Sequence, residues 1–424
     1  MASSLFRWRA WIFCSLWLLT NPLHAEGRYQ LEKVVELSRH GIRPPTAGNR
    51  KEIEAATQRT WTKWRTPDGE LTEHGYSAVM NKGRWQGEHY RQLGLLSAGC
   101  PSPADIAVRA SPMQRTIATA KALVNGAFPG CSIPVHHVKD DIDPLFQADK
   151  LEATQTDPIK ELAAKRAKAG NLPALQQRLQ PTIQLLKRAV CASVKDCPFF
   201  DRPWQFKQTR SGHTYVQGLS AMASMVETLR LGYSENLPFD QLAWGHITSA
   251  AQITALLPLL TANYDLSNDI FYLAQRRGSV LLNAILQGIN PGADALPKTR
   301  WLLFVAHDTN IAMVRTLIDF HWHLPGYSRG NIPPGSSLVF ERWRDSQSGE
   351  RFIRIYFQAQ SLDALRQLQP IDAAHPLLRE EWYQPGCKLT PVGTLCPYQS
   401  SIEQLRKRLD PKAIVPVDYA LPSS

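Results

Sequence analysis

The chain has no Cys-x-x-Cys pair and no His-x-x-x-His cluster, so the common ligand spacings of a structural zinc site are missing. It has no extended Lys/Arg run and no aromatic–basic repeat, which removes the usual footprint of a nucleic-acid binder. No central apolar run is long enough to cross a bilayer, and no internal repeat or low-complexity tract interrupts it. Charged residues are only 20% of the 424, against 43% apolar, a balance that excludes a disordered chain. One hydrophobic core seldom organises a chain this long, so two domains are expected.

The N-terminus differs from the rest. Arg7 and Arg9 precede the apolar stretch 10–19, and Ala25 stands before Glu26. That order predicts a secretory signal peptide over residues 1–25 and a periplasmic mature chain. Leu23 is larger than the small residue such cleavage sites favour. A membrane anchor is the rival reading, and the apolar stretch is short for one. Cys14 would leave with the signal. Cys100, Cys131, Cys191, Cys197, Cys387 and Cys396 remain, an even set that implies three disulfides in an exported chain. Among the fifteen pairings that six cysteines allow, joining sequence neighbours (100 with 131, 191 with 197, 387 with 396) is the simplest. Losing Arg7 and Arg9 lowers the formal charge from +11 to +9. A small polyanionic substrate, or solubility alone, accounts for that charge without nucleic acid.

Apolar periodicity divides the remainder. Residues 31–38 read as a buried strand with Val34, Val35 and Leu37 in the core. Thr72 caps a helix to about residue 93, with Tyr76, Val79, Met80 and Tyr90 inward. Residues 106–110 form a second strand, and Ser111 then caps a helix with Pro112 in its first turn. A third strand is expected at 133–138. From 147 to 296 helical patterns dominate. Strand character returns at 301–306, followed by a helix, and at 338–343 and 352–358, where alternation predicts half-buried antiparallel strands. The pattern predicts an α/β domain with a mixed sheet (26–146 and 297–424) and a smaller inserted all-α domain (147–296).

Two motifs end apolar strands. The first, VELSRHGIRPP at 35–45, sets His40 between Arg39 and Arg43. Fixed positive charges disfavour protonation of an imidazole between them. A neutral imidazole is a nucleophile, and two arginines seat an oxyanion. The second motif is His307-Asp308, after 301–306. Ligands of open α/β sheets bind at the carboxyl ends of the strands, which brings both motifs to one rim. Arg115 lies one turn into the helix that follows the second strand and faces the same rim. Arg39 and Arg43 can each grip phosphate oxygens with forked hydrogen bonds. His307 adds a donor, and Asp308 is placed to protonate a departing alkoxide. A non-catalytic anion-binding protein would keep the arginines but has no use for a strand-end histidine with a distant acid.

RHGIRPP at 39–45 with HDTN at 307–310 resembles the histidine acid phosphatase family of the histidine phosphatase superfamily. SPMQRTIATAKAL (111–123), DPLF (143–146) and PPGSSLVFERW (333–343) fit the same resemblance, which spans most of the mature chain. Within the family the chain is most similar to bacterial periplasmic phytases, while GAFPGCSIPVHH (126–137) is shared with the glucose-1-phosphatase branch. The resemblance implies a phosphohistidine at His40 and a phosphate held by Arg39, Arg43, Arg115 and His307. It implies Asp308 as proton donor, an acidic optimum, and no metal or cofactor. It implies the histidine phosphatase fold, an α/β domain with a smaller α domain and the cleft between them. Partners would be limited to a small polyanion such as phytate, with a monomeric chain and no stable membrane association. The position-3 phosphate would leave first. A 6-phytase and a glucose-1-phosphatase-like sugar phosphatase are the alternatives. Thr46 and Glu227 match positions that contact substrate in relatives. Ala47 departs from the lysine found in some of them, with Arg50 or Lys51 as nearby substitutes.

Overall fold

The computed structural model describes residues 27–417 except 141, 196, 211 and 293–298. The signal-peptide reading over residues 1–25 lies outside them. The strands in chain order are β1 (Tyr29–Arg39), β2 (Ile106–Ala110), β3 (Gln205–Gln208), β4 (Thr214–Gln217), β5 (Trp301–Ala306), β6 (Ser337–Asp345), β7 (Arg351–Ala359), β8 (Leu378–Glu381), β9 (Lys388–Thr390) and β10 (Gly393–Pro397). Eight of them form one sheet in the order β2-β5-β1-β6-β7-β10-β9, with β8 also on β7. Strands β2, β5 and β1 run parallel, and β6 and β7 continue antiparallel. The sheet is mixed, as the pattern predicts.

β1 is central and covered on both faces, which is why it reads as an unbroken apolar run. Successive residues point to opposite layers. Val34 joins the cluster that contains Val339, Leu303 and Leu123, while Val35 and Leu37 join a larger one that extends into the helical region. Carboxyl ends Arg39, Ala110 and Ala306 therefore share one rim, held in register by the pairing of Arg39 with Ala306 and of Ala110 with Val305.

Helices α1 (Ala47–Thr57), α2 (Glu73–Gln92) and α3 (Gln114–Ala127) follow the early strands. Thr72 Oγ1 accepts from Gly75 N at 2.8 Å and caps α2, as expected. Val79 and Tyr90 are buried, whereas Tyr76 and Met80 are half-buried. α2 and α3 pack backbone to backbone. A Cβ on Gly87 would stand 2.6 Å from the carbonyl oxygen of Ala127, and one on Gly83 or Gly126 would collide with the opposite backbone. Glycine is required there by proximity alone.

Between α3 and β5 lie α4 (Pro158–Ala169), α5 (Leu172–Arg178), α6 (Gln180–Val190), α7 (Leu219–Ser234), α8 (Ala250–Ser267) and α9 (Phe271–Ile289). The β3–β4 hairpin interrupts this region, and the sequence pattern does not predict it. After β5 come α10 (Asp308–Leu317), α11 (Leu362–Gln367) and α12 (Tyr398–Arg406).

Three local expectations fail, each for a tertiary reason. Ser111 does not cap α3; the N-cap is Met113, and Ser111 Oγ is drawn instead to His307 Nε2 at 3.0 Å. Residues 133–138 form no strand, only a bridge in which His136 N donates to Val108 O and His136 O accepts from Ala110 N. β6 and β7 are buried on both faces rather than half-buried. Their alternating polar residues are paired inside: Trp343 Nε1 and Tyr356 Oη donate to Glu341 at 2.8 and 2.7 Å.

The disulfides are Cys100–Cys131, Cys191–Cys197 and Cys387–Cys396, the simplest pairing of the six. Each native bridge is worth about 2–5 kcal/mol in a small secreted domain. Dithiothreitol should therefore lower the melting temperature by several degrees, read by calorimetry; an unchanged melt would deny the bridges a stabilising role. Among the described residues, no helix is long and apolar enough to cross a membrane.

Candidate active site

The RHG string is fixed by its backbone. His40 N donates to Ala306 O at 3.0 Å, and His40 O accepts from Gly335 N at 2.9 Å. Gly41 N donates to Thr119 Oγ1 of α3, and a Cβ there would press on Leu71, Val79 and Gly75. The chain thus leaves β1 with His40 locked between β5 and the 333–335 turn. Nδ1 of His40 is 2.8 Å from Gly41 O. A carbonyl only accepts, so Nδ1 carries the proton and Nε2 keeps its lone pair.

His40 is buried, and burial is the first reason its protonation is disfavoured; Arg39, Arg43 and Arg115 add to it. A unit charge at about 4 Å contributes on the order of 4 kcal/mol at an effective dielectric of 20. Burial and the three arginines act in the same direction, against the protonated imidazole.

Each arginine is anchored without being used up. Arg39, fully buried, donates Nη1 to Ile332 O at 2.6 Å and Nη2 to Glu227. Arg43 donates Nη1 to Pro44 O at 2.8 Å, and Arg115 Nη1 reaches Gly69 O at 3.4 Å. The Nε atoms of all three are buried without a protein partner among the described residues. Burial and Arg43 pull Arg115 down to about 10, so it stays charged at neutral and acid pH. A buried cluster of like charges with idle donors is built for an anion.

His307 and Asp308 start α10, whose N-terminus adds its partial positive charge at the same rim. The rings of His307 and His40 are 5.7 Å apart. Burial and Arg115 hold His307 neutral. Its Nε2 meets Ser111 Oγ, which in turn accepts from Gln147 Nε2 at 2.9 Å. The DPLF segment buttresses this side: Asp143 binds Arg109 through two hydrogen bonds, and Phe146 O accepts from Asn310 Nδ2.

Burial works to protonate Asp308, but Arg39, the Tyr264 hydroxyl and Arg43 outweigh it and hold the carboxyl well below its ordinary range. Tyr264 Oη donates to Oδ2 at 2.5 Å, and Arg39 Nη2 is 3.9 Å from the same oxygen.

All six core residues named from the sequence meet at this rim. The two residues expected to contact substrate sit differently. Glu227 is buried behind Arg39, joined to it and to Arg230, whose Nη1 holds Asn331 Oδ1. Burial raises its proton affinity, yet Arg230 and Arg39 outweigh that and keep it ionised. It is ion-paired with Arg39 and can orient that guanidinium. Thr46 Oγ1 accepts from Asn49 N and caps α1 while remaining half-exposed. Arg50 cannot stand in for the missing lysine at Ala47, because Asp68 takes it through two 2.7 Å bonds. Lys51 is exposed. Sequence reasoning missed Tyr264, Arg230, Ser111 and Gln147.

Three guanidinium groups, two neutral imidazoles and one carboxylate at the carboxyl ends of a mixed sheet define a hydrolase of phosphoric monoesters. The family model described as Histidine phosphatase superfamily (branch 2) matches residues 30–358. The chain belongs to that superfamily. The crystal structure of a Klebsiella sp. ASR1 phytase is 67% identical with a TM-score of 0.91, covering 93% of this chain and 100% of that one. A Hafnia alvei phytase solved in complex with myo-inositol hexakis sulphate is 29% identical with a TM-score of 0.82, covering 92% and 99%. The glucose-1-phosphatase of Salmonella typhimurium is 30% identical over 390 residues, 90% of this chain and 94% of that protein.

Proposed function

We propose that the protein is a phytase that removes phosphate from myo-inositol hexakisphosphate through a phosphohistidine at His40. The observation that carries this is the His40 imidazole, its Nε2 free, inside the ring of Arg39, Arg43, Arg115 and His307. Nε2 attacks phosphorus as the ester P–O bond breaks, and the arginines with His307 hold the three remaining oxygens. Asp308 passes a proton to the leaving oxygen, which departs as the alcohol. Water then attacks the phosphohistidine, returns a proton to Asp308, and releases phosphate with His40 neutral again.

Phytate is favoured over other esters by likeness to the Klebsiella phytase and by the Hafnia enzyme's binding of a six-anion inositol. The net positive charge assists capture of such a polyanion in a salt-dependent way. The position-3 phosphate leaves first in this reading. The division into an α/β domain (26–146 and 297–424) and a helical domain (147–296), and export to the periplasm through residues 1–25, belong to it as well; the three disulfides support export.

Quenching turnover of labelled substrate in the cold should leave phosphorus on His40 alone, read by peptide mapping. Label on another side chain, or none, ends the proposal. Ion chromatography of early products should show loss at position 3; dominant loss at position 6 replaces that detail. The likeness to the Salmonella enzyme supports a second reading, a glucose-1-phosphatase. A specificity constant higher for glucose 1-phosphate than for phytate would install it.

A further inference from the structure

We propose that Tyr264 is a positioning residue for proton transfer: its phenol pins Oδ2 of Asp308 and leaves Oδ1 as the oxygen that delivers the proton. This rests on the acid role proposed above for Asp308 and adds a residue to it. Tyr264 comes from α8, in the helical region, and reaches across to the first residue of α10. It is buried, and its hydroxyl donates to Oδ2 at 2.5 Å. Arg39 Nη2 approaches that same oxygen at 3.9 Å. Among the described residues no protein hydrogen bond reaches Oδ1, while the Asp308 side chain keeps 25% of its surface exposed.

The direction of the bond settles which oxygen is free. Burial, Asp308 and Glu227 oppose ionisation of the phenol more than Arg39 and Arg230 favour it, so Tyr264 keeps its proton and donates it to the carboxylate, which can only accept. Oδ2, already accepting a hydrogen bond, is the poorer place for a second proton, and a protonated carboxyl carries its hydrogen on Oδ1. The same bond stops rotation of the carboxyl, which a general acid must not waste during transfer. The charged groups around the pair are Arg39 from β1, Arg43 beyond it, Arg315 in the last turn of α10, and Glu227 and Arg230 from α7, with the neutral His307 at the start of α10.

The test compares two esters in Tyr264→Phe, which removes only the hydroxyl. For an alkyl phosphate, kcat should fall about tenfold, the cost of one hydrogen bond to a charged group. The basic limb of its kcat–pH profile should move to higher pH, because the ionised carboxylate loses a donor. An aryl phosphate with a good leaving oxygen should keep a near-native phosphorylation rate, read as the burst in stopped flow. An unmoved limb, or equal losses on both esters, overturns the proposal. Tyr264→Gln, which keeps an N–H donor, should return part of the limb's position, and no recovery counts against the bond. In an Asp308→Asn background, Tyr264→Phe should cost nothing further; an added loss means a merely structural role. If Asp308→Asn alone fails to separate the two esters, the acid assignment itself falls. If it separates them and Tyr264→Phe does not, only Tyr264 falls.

Discussion

Replacing His40 with Ala should abolish the phosphorylated enzyme and lower kcat/KM for every phosphomonoester by roughly 10⁴- to 10⁶-fold, the scale of losing a covalent nucleophile. Binding should survive. Arg39, Arg43 and Arg115 are anchored by Ile332, Glu227, Pro44 and Gly69, none of which depends on the imidazole. Inorganic phosphate should therefore bind the variant at least as well as the native protein by calorimetry. Turnover near the native rate would remove His40 from the chemistry. Loss of both turnover and phosphate binding, with a native melting curve, would make it an anion ligand instead. The pH dependence carries a sign as well. Burial and the arginines hold His40 neutral well below the usual imidazole range, so kcat/KM should not drop as pH falls through about 6.5. A loss centred there would show an imidazole that titrates normally.

The second large effect is expected from Asp308→Asn. Esters whose oxygen leaves as an alkoxide should slow by about 10²- to 10⁴-fold, the usual span of general acid catalysis. An activated aryl phosphate should phosphorylate His40 almost as fast as before. Equal losses would refute the acid role. Arg39, the Tyr264 hydroxyl and Arg43 hold Asp308 ionised against its burial when no anion is present. A bound phosphate cancels those charges and raises the carboxyl toward the range where it can hold a proton. Anion binding in acid should thus take up a proton, measurable by calorimetry in buffers of different ionisation enthalpy. The uptake should vanish in Asp308→Asn. No uptake in the native protein would leave the acid without a source of its proton.

The residues read from the sequence were those whose position follows from strand ends. Arg39, His40, His307 and Asp308 each sit within two residues of an apolar strand's last position, and parallel pairing of β1 with β5 does the rest. Arg43 follows from the same string, and Arg115 is the second residue of α3 after β2. Tyr264 had no comparable signal. It lies on a helix rich in leucine, where a tyrosine reads as packing, and its partner is 44 residues away. Arg230 and Glu227 read as helix-face charges until the fold sets Arg39 beside them. Ser111 shows the opposite error. Serine before proline is a good cap by local propensity, yet His307 competes for its hydroxyl and wins. In β6 and β7 alternation was mistaken for a wet face because Glu341 and its donors satisfy each other in the interior.

The glycine seam between α2 and α3 bears on how this enzyme can be changed. α3 carries Arg115 and the threonine that fixes Gly41, so the seam sets the spacing of the anion clamp from a distance. Laboratory evolution toward heat resistance often trades helix glycines for alanine. At positions 83, 87 and 126 that trade would pry the helices apart, and selection for robustness would work against selection for turnover at those three codons.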